Sequence, residues 1–110
     1  MSRTLAILIL LFAATLEVAG DAFIRIGIHR SGAVTRFVAF GLGALVLFAY
    51  GYTVNAPPWD FGRLLGLYVV FFFVIAQLIS WLVFNQPPSR ALLLGGGLIV
   101  SGGILIALLQ

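Results

Sequence analysis

The chain has 110 residues, of which 63% are hydrophobic and 8% are charged, with a mean hydropathy of +1.22. Because soluble domains carry about 25% charged residues on a solvated surface, this composition excludes a water-soluble globular domain. The chain has no cysteine and one histidine, His29, so thiol chemistry is excluded and no metal or other cofactor is expected. The net charge of +3 results from six arginines and three acidic residues, and the arginines lie at the ends of apolar runs. They form no basic face, which argues against a nucleic-acid partner.

Four apolar segments are delimited by the charged residues: 4–26, 37–54, 64–84 and 91–110. Each reaches or approaches the ~20 residues that a helix needs to cross a bilayer. Runs such as residues 68–76 do not alternate polar and apolar side chains, as transmembrane strands do. We therefore predict an all-α membrane protein with one domain, residues 1–110, and four transmembrane helices per protomer.

Short polar connections at residues 27–32, 55–58 and 85–90 contain the glycines and prolines that end helices. Connections of this length predict that consecutive helices are antiparallel neighbours. The first segment also resembles a secretory leader, since Arg3 precedes its apolar run and small residues follow. We favour a transmembrane helix, and removal of this segment would still leave three segments that span the membrane.

The arginines give a weak signal for orientation. Arg30, Arg36 and Arg90 lie at the first and third connections, whereas Arg3 and Arg63 lie at the other membrane face. The positive-inside rule places the first and third connections in the cytoplasm. The bias is small enough to be compatible with insertion in both orientations.

The first segment carries two carboxylates, Glu17 and Asp21. In a helix that begins at Thr4, Glu17 lies about 20 Å along the axis, inside a hydrocarbon layer of ~30 Å. A charge at that depth is costly, so an intramembrane acid is a hypothesis of function. The alternative is a neutral carboxylic acid that bonds to a neighbouring helix. Asp21 shares the face of Glu17, and we expect it to pair with Arg25 at the membrane border.

Desolvation penalises the charged form of a carboxyl group. A buried acid such as Glu17 can therefore exchange a proton near neutral pH. If it binds either a proton or a substrate cation, but not both, competition couples the two. This is the minimum machinery for cation/proton antiport.

The third segment is rich in aromatic residues, whose ring faces attract desolvated cations. Tyr68 is the strongest candidate, because its hydroxyl could donate a hydrogen bond to an ionised Glu17. Phe71 lies one turn further along. Tyr50 and Tyr52, near the end of the second segment, are interpreted as anchors at the membrane interface.

The fourth segment contains Gly95 and Gly102, seven residues apart. Small residues at such a spacing mark a surface where two helices approach closely. We predict that this surface forms a protomer contact, the alternative being that these glycines relieve crowding inside one protomer.

These residues resemble the small multidrug resistance transporters, whose four-helix plan covers essentially the whole chain. The first helix carries their acidic motif at residues 16–20, Leu-Glu-Val-Ala-Gly. The likeness extends to Ser80-Trp81, Asn85-Gln86, Gly95 and Gly102, while Gly62-Arg63 and Tyr68 are closest to the YnfA-like branch. The chain departs from the typical pattern at two points. Asp21 is an additional acid, and the third helix has no glycine at its centre to act as a hinge, although Gly66 could serve as one.

The resemblance implies an inner-membrane homodimer, usually antiparallel, in which two copies of Glu17 line one pocket and carry both proton and cation. It implies that Tyr68 and Phe71 line that pocket and that Gly95 and Gly102 lie in the dimer contact. Asp21, a departure from the pattern of the family, is kept as a further candidate for the proton- and substrate-binding site. The expected partners are the bilayer, protons, a small organic cation and a second copy of the chain.

The sequence therefore predicts a proton-coupled exporter of small or hydrophobic organic cations that works by alternating access. Two alternatives stay open: a non-transporting membrane assembly subunit, and a flippase for lipid-linked substrates. An enzyme is not expected, because no nucleophile, base and orienting group converge in the sequence.

Overall fold

The computed structural model describes residues 2–30 and 32–109. It contains four helices: α1 (Arg3–His29), α2 (Ala33–Val54), α3 (Phe61–Leu82) and α4 (Arg90–Leu109). All four are long and apolar enough to cross a membrane. The predicted all-α fold with four spanning helices is confirmed. Ser31 and Gln110, which the sequence analysis placed in the first connection and at the end of the fourth helix, lie outside the described residues.

The first connection is shorter than the sequence indicated. The first helix was expected to end at residue 26, but it continues to His29, and α2 begins at Ala33. Gly27 lies inside α1 and does not end it. A Cβ at this position would come 2.6 Å from Cε1 of Phe40, so the glycine allows α2 to pack closely against α1. The turn is made at Gly32, whose φ of 101° is readily adopted only by glycine.

Backbone contacts link the described helices in the order α2, α1, α3, α4. α1 packs against both α2 and α3, and α4 packs only against α3 among the described elements. The prediction of consecutive neighbours is therefore confirmed for α1–α2 and α3–α4. For α2–α3 it holds through side chains only. Tyr50 of α2 lies against Tyr68 of α3, and Val54 shares the core cluster with Leu64, but the described backbones of these two helices do not come together.

Glycines hold α1 against α2. A Cβ at Gly20 would lie 2.7 Å from Cγ of Leu47, and one at Gly43 would lie 2.7 Å from Cδ1 of Ile24. The Gly43 position is also 3.1 Å from the carbonyl oxygen of Gly20, which belongs to the backbone and cannot rotate away. Small residues at these positions let the two helix backbones approach closely, as is usual between helices in lipid.

The best-packed core joins α1, the end of α2 and the start of α3. Its buried members are Leu10, Ala13, Ala14, Val54, Leu64 and Tyr68. Most other large apolar side chains are exposed, which suits a surface covered by lipid. The fold thus concentrates tight packing around one region of α1, and Glu17 lies one turn beyond Ala13 and Ala14.

We predict that Gly43→Ala destabilises the protein and that Gly41→Ala does not. Alanine improves helix propensity by about 1 kcal/mol at either position, and a Cβ at Gly41 meets nothing within 4 Å. At Gly43 the added methyl group must displace Ile24 and the Gly20 backbone, an overpacking that costs about 1–3 kcal/mol. The free energy of unfolding in mixed micelles measures the difference, and equal values for the two variants would contradict the α1–α2 packing described above.

Candidate functional site

Glu17 and Tyr68 are in direct contact. The Tyr68 hydroxyl donates a hydrogen bond to Glu17 Oε1 with an oxygen–oxygen distance of 2.9 Å. Tyr68 is 4% exposed, and Glu17 is half-buried. The ring of Tyr68 packs with Ala13 and Ala14 in the same cluster, where the short alanine side chains leave room for α3 to approach α1. The fold therefore gives the deepest carboxylate of the chain a fixed hydroxyl donor.

Further aromatic rings surround Tyr68. The ring centroid of Tyr50 lies 5.7 Å from that of Tyr68, and the centroid of Phe72 lies 6.4 Å from it on the same helix. Both pairs are tilted and fall within the range of favourable aromatic contacts. The carboxylate of Glu17 thus accepts a hydrogen bond from α3 and lies beside a cluster of aromatic rings contributed by α2 and α3.

Tyr50 is the residue of this site that the sequence analysis missed, since it was interpreted as an interface anchor. The packing of α1 on α2 explains its position. Gly27 meets Phe40, and Gly20 meets Leu47, so a step of seven residues back along α1 corresponds to seven residues forward along α2. The same antiparallel register carries Glu17, three residues before Gly20, to the level of Tyr50. This register could be read only from the structure.

Phe71 does not share the contacts of Glu17 and Tyr68. It is half-buried against the core and lines a separate cavity between α1, α3 and α4. Its predicted role in substrate binding stays a prediction.

Asp21 is exposed, one turn beyond Glu17 on α1. The expected ion pair with Arg25 is wrong for the described residues, where the Arg25 guanidinium carbon lies 5.4 Å from the ring centroid of Phe84. An exposed ion pair contributes only about 0–1 kcal/mol, and a cation above an aromatic ring gains a similar amount. Asp21 is left as a carboxylate at the surface of α1, and its place in a binding site stays a prediction.

The glycines of α4 form two groups. Cβ atoms at Gly96 and Gly103 would collide with Phe73 and Val70 of α3, whereas Cβ atoms at Gly95 and Gly102 would meet nothing within 4 Å. Gly96 and Gly103 thus relieve crowding inside the protomer, the role that was the alternative for the glycines of α4. Gly95 and Gly102 are open, and their predicted role in a protomer contact stays a prediction.

Four helices that are long and apolar enough to cross a membrane define a multi-pass membrane protein. A UPF0060 membrane protein from Herpetosiphon aurantiacus is 30% identical over 104 residues, which cover 92% of this chain and 91% of the relative. A second UPF0060 membrane protein, from Clostridium perfringens, is 29% identical over 109 residues, which cover 96% of this chain and 95% of the relative. The chain belongs to the UPF0060 family of membrane proteins. No family model and no solved structure matches it.

We predict an energetic coupling between Glu17 and Tyr68. Tyr68→Phe keeps the packed ring and removes the donor, and we expect it to lower the free energy of unfolding by about 1.5–3 kcal/mol, the range for a hydrogen bond to a charged group. In a Glu17→Met background, where no acceptor remains, the same change should cost less than about 0.5 kcal/mol. A double-mutant cycle in mixed micelles measures the coupling.

The matched control is Tyr52→Phe, because Tyr52 is 78% exposed and its hydroxyl lies outside this site. It should change stability by less than about 0.5 kcal/mol. An equal cost of Tyr68→Phe with and without Glu17 would show that the hydrogen bond does not stabilise the fold.

Proposed function

We propose that this protein is a proton-coupled antiporter that exports small or hydrophobic organic cations across the inner membrane by alternating access. The observation that supports this function best is the hydrogen bond from Tyr68 to the half-buried carboxylate of Glu17. The resemblance to small multidrug resistance transporters points to the same chemistry. In this proposal Glu17 exchanges a proton for the substrate cation.

The environment of Glu17 suits such an exchange. Its ionised form accepts the Tyr68 hydroxyl, so the carboxylate remains partly satisfied after the proton leaves. An organic cation that approaches it meets the rings of Tyr50 and Phe72, which pack around Tyr68. A cation above a desolvated ring gains about 2 kcal/mol. Proton and cation compete for one carboxylate, and each can be released only when the other takes its place.

The shape of the protomer supports a homodimer. Its extents are 50 × 34 × 19 Å, so it is a thin slab, with α2 and α3 flanking the helix that carries Glu17. Helices have a diameter of about 10–12 Å with side chains, and a slab this thin does not enclose a pathway. A second copy that packs on the open glycines of α4 would supply the missing wall and a second Glu17.

Glu17→Gln should abolish proton-driven cation transport, because an amide cannot exchange a proton for a cation. Solid-supported-membrane electrophysiology with guanidinium, quaternary ammonium compounds and polyamines provides the measurement. We expect the transport current of Tyr68→Phe to be about tenfold lower, which corresponds to the loss of a charged hydrogen bond of about 1.5 kcal/mol.

The matched control is Asp60→Asn. Asp60 is exposed at the N-terminus of α3, and the same carboxylate-to-amide change there should leave the currents intact. Undiminished currents in the Glu17→Gln protein would overturn the proposal. If the unmodified, well-folded protein carried no current with any of these cations, an assembly subunit or a flippase for lipid-linked substrates would replace the antiporter as the best interpretation.

Gly102→Val should weaken the dimer. A Cβ at Gly102 meets nothing within the protomer, so a larger side chain is tolerated by the monomer but prevents close approach of a second copy. We expect the dissociation constant in detergent to rise at least about tenfold, which corresponds to about 1.4 kcal/mol. Gly41→Val on α2 is the control, since that glycine is equally open. An unchanged dissociation constant for Gly102→Val would place the contact elsewhere.

A further inference from the structure

A cavity of about 320 Å³ lies between the N-terminal parts of α1 and α3 and the C-terminal half of α4. Neither Glu17 nor Tyr68 lines it, whereas Phe71, a predicted substrate-binding residue, does. Most of its lining is apolar and includes Ile7, Val70 and Ile104. Its polar lining consists of Arg3, Arg63 and Trp59. The cavity therefore combines a cationic part with an apolar part.

The cationic part lies at the membrane border. Arg3 is the first residue of α1, and Arg63 lies in the first turn of α3. Both helices begin at this end, so the partial positive charge of their N-termini adds to that of the guanidinium groups. Of the three acidic residues in the sequence, none lines the cavity, and Asp60, the one at this end, is exposed.

Arg63 packs on an aromatic ring, and one of its guanidinium nitrogens has no hydrogen-bond partner. Its guanidinium carbon lies 5.2 Å from the ring centroid of Trp59, which fixes the guanidinium plane near the cavity. Its Nε atom is buried and makes no hydrogen bond. Buried polar groups without a partner are rare and costly. Because the buried Nε is out of reach of a ligand, an acceptor oxygen in the cavity would bond to the terminal guanidinium nitrogens of Arg63.

We propose that this cavity binds one anionic phospholipid, with its phosphate at Arg3 and Arg63 and an acyl chain along the apolar lining. Guanidinium groups are suited to phosphate because they donate several hydrogen bonds from one plane. From Arg3 to Leu10, the α1 side of the cavity extends about 10 Å into the bilayer, which an acyl chain can follow. A soluble phosphate ion would leave this apolar lining uncovered.

The two tryptophans of the chain allow a direct test. Trp59 lines the cavity, whereas Trp81 lines a different cavity, against α4, in which no charged residue takes part. Trp81→Phe leaves Trp59 as the sole reporter. The protein is placed in phosphatidylcholine vesicles that contain equal fractions of either brominated phosphatidylglycerol or brominated phosphatidylcholine, since bromine quenches tryptophan fluorescence on contact.

We expect brominated phosphatidylglycerol to occupy the site at least about fivefold better than brominated phosphatidylcholine, the factor given by one basic residue near an anionic headgroup. Arg63→Gln should reduce this preference about fivefold. Because this change also removes the partner of the Trp59 ring, Arg3→Gln serves as a second variant and should reduce the preference as well.

Arg90→Gln is the matched control. It removes the same charge at the opposite membrane border, where Arg90 begins α4, and should leave the Trp59 preference unchanged. In a Trp59→Phe protein, Trp81 should show no comparable preference. Three results would overturn the proposal: equal quenching of Trp59 by both lipids, an equal loss in Arg90→Gln and Arg63→Gln, or removal of the preference by inorganic phosphate. Because Glu17 takes no part, a Glu17→Gln protein should retain the preference, whatever it does to transport.

Discussion

A carboxylate inside a membrane needs a partner, and the hydroxyl of Tyr68 supplies one to Glu17. This contact belongs to the seam between two helix hairpins. α1 and α2 are held together by Gly20, Gly27 and Gly43, while α3 and α4 are held together through Gly96 and Gly103. The hairpins meet through the backbones of α1 and α3 and through the side chains of Tyr50 and Tyr68. The polar pair therefore lies at a contact formed by alanines of α1 and aromatic rings of α2 and α3.

The contacts within each hairpin differ from the contact between the hairpins in how much movement they allow. Glycine contacts allow backbones to approach closely and leave little freedom for rearrangement, because interiors are packed near their limit. The seam instead consists of aromatic rings from α2 and α3 around one acid. The proposed antiporter would alternate between two states, which requires an interface with two stable arrangements. The seam is the part of this protomer best suited to that requirement.

Composition and charge were sufficient to predict the class and the number of helices, because a run of about 20 apolar residues has few alternatives. Glu17 could be singled out as a candidate site residue, since it is an acid deep inside such a run. Tyr50 and the order of the helices could not be predicted, because both depend on how helices pack rather than on the properties of single residues. Gly27 shows the same limit, since glycine at the end of an apolar segment serves equally for a turn or for close packing, and only Phe40 decides between them.

Arg36 combines two tasks that are usually separate. Its Nε donates a hydrogen bond of 3.1 Å to the carbonyl oxygen of Gly27, one of the last α1 carbonyls, which lack a partner within the helix. The same cation is one of the arginines whose distribution predicts the orientation of the chain. One guanidinium group thus bonds the end of α1 and takes part in the predicted orientation signal, so a variant that removes Arg36 to reverse the orientation would also loosen the first hairpin. Arg30, exposed in the connection, offers the cleaner position for such an experiment.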